Sequence, residues 1–335
     1  MPGLKSGITG WRRILIALAL AILLPAPGSA SGDYRGALAA LRSMDMRLAG
    51  VATHLLEANA PLCDAIMPST GLVLHALAQY PARFRSDARA VFLFPTPLAV
   101  EGVISGSAAA TAGVAVNDGI VAINGKAIAN HEQTGSALRD EAMLTMGSLS
   151  ATSAISIDLV RAGRVMQVTL RPRPACRSRF EVLPQAALKA QSDGEIIQVS
   201  TAVLERFDDS GLAVIVAHEL AHSMLHHRKR LAAAGVRTGI LAEFGANRRL
   251  LRRAEDEADR LSVHLLRNAG HDPMMAVNFW RGPGRRIDRG IFRSGTHASA
   301  RQRAEALQAE IAAMPMAIPL SIAPSLLESR TKPFD

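Results

Sequence analysis

Aromatic residues are scarce: two tryptophans, two tyrosines and nine phenylalanines make up 4% of 335 residues. So few rings offer no stacking platform for single-stranded nucleic acid, and no nucleic-acid-binding motif accompanies the net charge of +9. That basicity reads as a solvated, arginine-rich surface and leaves peripheral contact with an anionic membrane open. Cysteine is rarer still, with only Cys63 and Cys176. Neither has a close partner in sequence, which excludes a cysteine-built metal cluster. Long apolar runs are missing after Leu24, so no later segment is suited to span a bilayer. What is present is 49% hydrophobic residues against 20% charged ones, in a length that suits two domains with real cores.

The first thirty residues follow a secretory pattern. Lys5, Arg12 and Arg13 precede an apolar run from Ile14 to Leu24, then Pro25-Ala26-Pro27-Gly28-Ser29-Ala30. The run is shorter than the roughly 20 residues a helix needs to cross a membrane, which favours a cleaved signal over an uncleaved anchor. The chain is therefore expected to be exported, with the periplasm of a Gram-negative bacterium as its compartment. There an even cysteine count predicts one disulfide, Cys63 to Cys176, with two buried thiols as the alternative.

Leu38, Leu41, Met44, Leu48, Val51 and Leu55 recur at helical spacing, Ala60-Pro61 breaks the pattern, and Thr70 to Tyr80 reads as a second short helix. From about Ala90 short apolar runs alternate with turn signals. Strands are expected at Val100–Ile104, Ile120–Ile123, Ile155–Val160 and Val165–Leu170, a helix over Glu132–Met146, and turns at Asn124-Gly125 and Ala162-Gly163. Arg171-Pro172-Arg173-Pro174 reads as an extended linker, and Glu195–Ser200 as a strand able to offer its edge to an extended substrate.

The chemistry concentrates in His218-Glu219-Leu220-Ala221-His222. On a helix, positions i and i+4 share a face, so both imidazoles reach one cation, with Glu219 beside them as a general base. A catalytic zinc takes a third protein ligand. The candidate is Glu255, which shares a helical face with Asp259; one carboxylate can ligate while the other holds a ligand histidine in its tautomer. Glu257 points off that face and ranks below as a ligand. His226 and His227 are expected on the same helix beyond the motif, and His226, one further i+4 step from His222, reads as a surface or supporting residue.

Two resemblances follow. Ala112-Gly113-Val114, Asn117-Asp118 and Ile123-Asn124-Gly125 resemble the central signature of bacterial PDZ domains over about 90–172, although Pro97-Leu98-Ala99-Val100 stands where a glycine-bearing carboxylate loop is expected. His218–His222, Glu255–Leu261 and Asn268-Ala269-Gly270-His271-Asp272-Pro273 resemble the HtpX and CAAX-prenyl-protease type of zinc metallopeptidases, which are gluzincins. Thr296–Arg303 resembles that family's H-P-x-x-x-x-R segment, with alanine in place of proline.

The resemblances imply an α+β chain: a PDZ-like, β-rich domain followed by a mainly helical metallopeptidase domain with a small sheet. They imply one Zn2+ per chain on His218, His222 and Glu255, with Glu219, Asp259 and His297 in catalytic roles. The implied segments are a signal peptide (1–30), an N-terminal helical segment (31–89), the PDZ-like domain (90–172), the metallopeptidase domain (173–320) and a tail (321–335). Expected partners are polypeptides, namely misfolded or misassembled envelope proteins. A non-enzymatic PDZ scaffold and a latent, partner-activated protease are the alternatives.

Overall fold

The computed structural model describes residues 34–128, 135–236, 246–285, 298–315 and 324–334. The expected signal peptide lies outside them. The architecture is α+β, as expected: a β-rich PDZ region and a mainly helical C-terminal region with small sheets.

Helix α1 (Tyr34–Ala58) serves both regions. Its C-terminal half, through Leu48, Ala52, Leu55 and Leu56, packs into the main core with the later helices. Near its start, Leu38 joins Tyr80, Ala88 and Phe92 in a separate small cluster. Arg47 donates to the carbonyls of Leu204 and Phe207, and buried Asn59 donates to Leu265 O at 3.1 Å, pinning α1 to the helical region.

The chain then enters β1 (Ile66–Ser69), β2 (Leu72–Ala76), α2 (Arg85–Phe92), β3 (Leu98–Val103), α3 (Ala108–Thr111), β4 (Gly119–Ile123), β5 (Lys126–Ala127), α4 (Ala137–Gly147), β6 (Ile155–Arg161), β7 (Arg164–Leu170) and β8 (Arg173–Cys176). The main sheet runs β2-β3-β4-β6-β7, with β5 hairpinned onto β4. Asn124 and Gly125 both have positive φ (49° and 73°), as do Ala162 and Gly163 (49° and 76°), giving the tight hairpins the sequence predicts.

The segment around Thr70 to Tyr80 is not a helix. Leu72–Ala76 pairs antiparallel with β3, because Leu72 and Leu74 bury into the sheet core and Gly71, at φ 74°, supplies a left-handed turn before them. Arg171–Pro174 is not a free linker either. β8 pairs antiparallel with β1, placing Pro68 opposite Pro174 and Ile66 opposite Cys176. Proline tolerates this two-stranded ladder because each strand is an edge. The Cys63–Cys176 disulfide, with Cα atoms 5.5 Å apart, closes the base of the pair.

The helical region follows: β9 (Arg179–Leu183), β10 (Ala190–Ser192), β11 (Ile196–Ser200), α5 (Thr201–Arg206), α6 (Asp209–Met224), α7 (His227–Ala233), α8 (Ala246–Asn268), α9 (Met274–Arg281), α10 (Ala300–Ala313) and α11 (Pro324–Ser329). β11 lies between β10 and β9, so it offers no free edge; the edge strand packed on α6 is β10, joined by Ser192 Oγ to Ser223 Oγ at 2.7 Å. No helix among the described residues is long and apolar enough to cross a membrane.

Candidate metal centre

Helix α6 starts at Asp208, whose carboxylate accepts from Gly211 N–H at 2.8 Å and caps the first turn. Every residue from Gly211 to Ala221 is buried, so α6 is sheathed by neighbours and its polar residues must find partners inside. His218 and His222 stand one turn apart on it, and α8 brings Glu255 across from them.

The three side chains converge on one point. His218 Nε2 is 3.1 Å from His222 Nε2 and 3.2 Å from Glu255 Oε2, and His222 Nε2 is 3.4 Å from the same oxygen. Ligand atoms at zinc distances in a tetrahedron stand about 3.3 Å apart. Two imidazole nitrogens and a carboxylate oxygen spaced in this way fit a zinc ion, and His218 is buried while the other two are partly exposed.

Each imidazole is held through its other nitrogen. His218 Nδ1 lies 3.0 Å from Asp259 Oδ1. Asp259 takes a forked ion pair from Arg303 of α10, with Nε at 2.6 Å from Oδ2 and a second guanidinium nitrogen on Oδ1. The Arg303 guanidinium in turn lies 3.5 Å over the ring of Trp280 on α9. Burial opposes charge on Asp259, yet Arg303 and His218 outweigh it and hold the carboxyl down at about 2. Burial also opposes charge on His218, yet its bonds to Asp259 and Glu255 push the ring up to about 10. A proton on Nε2 and a cation held at that point would exclude each other.

His222 Nδ1 lies 2.9 Å from His227 Nδ1, and His227 Nε2 is 3.2 Å from Glu257 Oε2. Glu257 also takes Arg230 Nη1 at 2.7 Å and Arg253 Nε at 3.1 Å. Burial pushes His227 down to about 4; it opposes charge on Glu257 too, but His227 and Arg230 prevail and hold that carboxyl near 2.

Of the residues singled out from sequence, His218, His222, Glu255 and Asp259 come together, and Glu219 sits buried on the same helix, 5% exposed. His297 lies outside the described residues. Glu257 faces the His227 side rather than the three converging donors. His226 is not a further turn of α6: the helix ends at Met224, His226 adopts φ 52°, and its ring meets Asp64 at 2.6 Å. That break turns His227 inward, a placement the sequence gives no sign of. Arg303 stands inside a motif read from sequence, but its partner Asp259 is visible only in the fold.

In the PDZ region, β2 is an edge strand of the sheet and α4 lies against it. β3 is flanked on both sides, so the loop that opens this groove is the one ending at Gly71, upstream of Pro97–Val100. From α4, Arg139 donates to Glu181 of β9 at 2.7 Å; Gln198 of β11 donates to Glu181 at 3.1 Å, and Gln191 of β10 to Gln198 at 2.7 Å. One side chain from each strand thus carries a polar ladder from the PDZ helix to the sheet edge beside α6.

Residues 85–140 match the family model of the PDZ domain, and no metallopeptidase family is detected. No curated protein matches the chain. Among solved structures, the chain is similar to the HtrA3 PDZ domain bound to a phage-derived ligand (FGRWV), at 17% identity and a TM-score of 0.24, over 32% of this chain and 88% of that one. The family match, together with the sheet and helix described above, places a PDZ domain ahead of the helical region that holds the His218, His222 and Glu255 cluster.

Proposed function

We propose that this protein is an exported zinc metalloendopeptidase that cleaves misfolded or misassembled envelope proteins. The observation that carries the reading is the spacing of the three donor atoms, 3.1 to 3.4 Å apart, on two helices. The order of the H-E-x-x-H and E-x-x-x-D motifs, and their likeness to the HtpX and CAAX-prenyl-protease type, adds to it. His218, His222 and Glu255 hold the cation. A zinc ion bound there supplies Lewis acidity to a scissile carbonyl and lowers the pKa of the attacking water.

The chain's own residues do the rest. Glu219 accepts a proton from the water at its carboxylate and returns it to the leaving amine nitrogen. Asp259 keeps the hydrogen of His218 on Nδ1, leaving Nε2 to the cation. His297 would stabilise the developing oxyanion or ligate the cation at rest. The edge of β10 is the surface on which an extended substrate can add as a strand. The Cys63–Cys176 disulfide suits an oxidising compartment such as the periplasm.

A casein digestion assay tests this. Activity removed by a chelator and restored by zinc, with Glu219→Gln slower by a hundredfold or more, about what a lost general base costs, is the expected result. Equal turnover by wild type, Glu219→Gln and chelated protein would sink proteolysis.

The PDZ match favours a second activity that stands without the first: binding peptide C-termini by strand addition on β2 beside α4. Peptide binding retained by a protein with no turnover would make the chain a scaffold. Turnover that appears only after His297→Ala would make it a latent protease.

A further inference from the structure

The metal reading leaves a second buried cluster unused. His227, Arg230 and Glu257 are 2%, 4% and 5% exposed, and none of them belongs to the three converging donors. Their order is fixed by hydrogen-bond bookkeeping. Glu257 receives Arg230 and Arg253, so it is an ionised acceptor. The nitrogen of His227 that faces it, Nε2, must then carry a hydrogen. Nε2 of His227 is committed to Glu257, so Nδ1 is the nitrogen left to face His222; a cation held at Nε2 of His222 requires that ring's hydrogen on Nδ1, with Nδ1 of His227 as its acceptor. The hydrogen between the two rings, 2.9 Å apart at their Nδ1 atoms, therefore sits on His222. With Nδ1 protonated, the Nε2 of His222 points a lone pair at the place where His218 and Glu255 converge.

The far end of this line is held by the last described residues. Arg230 Nε donates to Lys332 O at 2.9 Å, and its guanidinium lies 3.9 Å over the ring of Phe334. The same ring is 5.8 Å from that of His227. Phe334 is itself buried, so the last described residues close over the cluster.

We propose that His227 and Glu257 are positioning residues for the metal centre: they fix the hydrogen of His222 on Nδ1, and Lys332 and Phe334 clamp them through Arg230. This rests on the metal reading above, and the test keeps the two separable. Zinc affinity of the full chain is measured by competition with a chromophoric chelator, alongside the absorption spectrum of the cobalt-loaded protein and the unfolding midpoint of the metal-free protein. Variants are His218→Ala, His227→Phe, His227→Asn and Phe334→Ala.

His227→Phe keeps a ring beside Phe334 but offers no acceptor to His222, and is expected to weaken zinc binding about 10–100-fold and shift the cobalt bands. His227→Asn, whose side-chain carbonyl can accept from His222 Nδ1–H, is expected to recover most of that affinity. A purely structural role would not separate Asn from Phe. Unchanged affinity in His227→Phe, or equal loss in Phe and Asn, overturns the relay. Phe334→Ala leaves every histidine in place and serves if His227→Phe does not fold; a several-fold loss is expected, and none overturns the clamp. Wild type that takes up no zinc, or takes it up equally after His218→Ala, overturns the metal reading itself.

Discussion

Arg303 stands 44 residues from Asp259 in sequence, yet it neutralises the carboxylate that steadies His218. Both residues are buried, at 3% and 6% exposure. Arg303→Leu would leave Asp259 without its guanidinium in a low-dielectric site, and removing one partner of a buried ion pair costs about 3–5 kcal/mol. Urea unfolding of the variant is expected to register that loss, and Arg303→Lys is expected to recover only part of it, since an ammonium cannot reproduce the fork over two oxygens. A change below about 1 kcal/mol in Arg303→Leu would mean that this pair contributes little beyond its desolvation cost. At this scale the sequence was legible where spacing alone fixes a shared face. His218 with His222, and Glu255 with Asp259, are each four apart on helices that did form. It was silent on His227, because nothing in Leu225-His226-His227 announces that a non-glycine residue takes a left-handed φ and ends the helix there.

Among the elements, α1 shows what periodicity leaves out. The Leu and Met stripe predicts the helix but not that its polar residues enter a buried cluster between the two regions. Asp45 accepts from Val182 N–H of β9, and burial pushes its carboxyl up to about 7. Glu101 on β3, buried nearby, is raised as well, against the opposing pull of Arg42 and Arg139. A carboxyl raised on folding means that the folded protein keeps a proton the unfolded chain has released. Its contribution to stability is then present below about pH 4 and is lost as pH rises through about 7. Asp259 and Glu257, held near 2, act in the opposite sense and in a lower window. Asp45→Asn is expected to gain stability over wild type at pH 8 and to lose most of that advantage at pH 5, read from paired denaturant titrations. Equal differences at both pH values would show that Asp45 does not titrate with folding. The strand β2 escaped the sequence reading for a related reason. Leu72 to Tyr80 has the composition of a short helix, and only pairing with β3, some 25 residues on, decides otherwise.

Over the whole molecule, the order of the chain and the order of its regions differ. Helix α1 precedes the PDZ sheet but packs with the helices that follow it, so the helical region is built from two separated stretches. The sheet core of Leu74, Val100, Ile120, Ile157 and Leu159 is a separate cluster. The two cysteines, 113 residues apart, were readable as a pair from compartment and count, whereas the antiparallel β1–β8 pair above them was not, because prolines in both strands argue against a ladder.

That pair makes the PDZ region a graft on a two-stranded stem. Ser69 and Arg173 face each other across the ladder, the separation a two-residue hairpin loop spans. Replacing residues 70–172 with Asn-Gly should therefore yield a shorter protein that still oxidises Cys63 to Cys176, keeps its helical circular dichroism and takes up zinc as the full chain does. If so, whatever the graft binds is a detachable address, and loss of the disulfide or of the metal on excision would show that stem and graft fold only together.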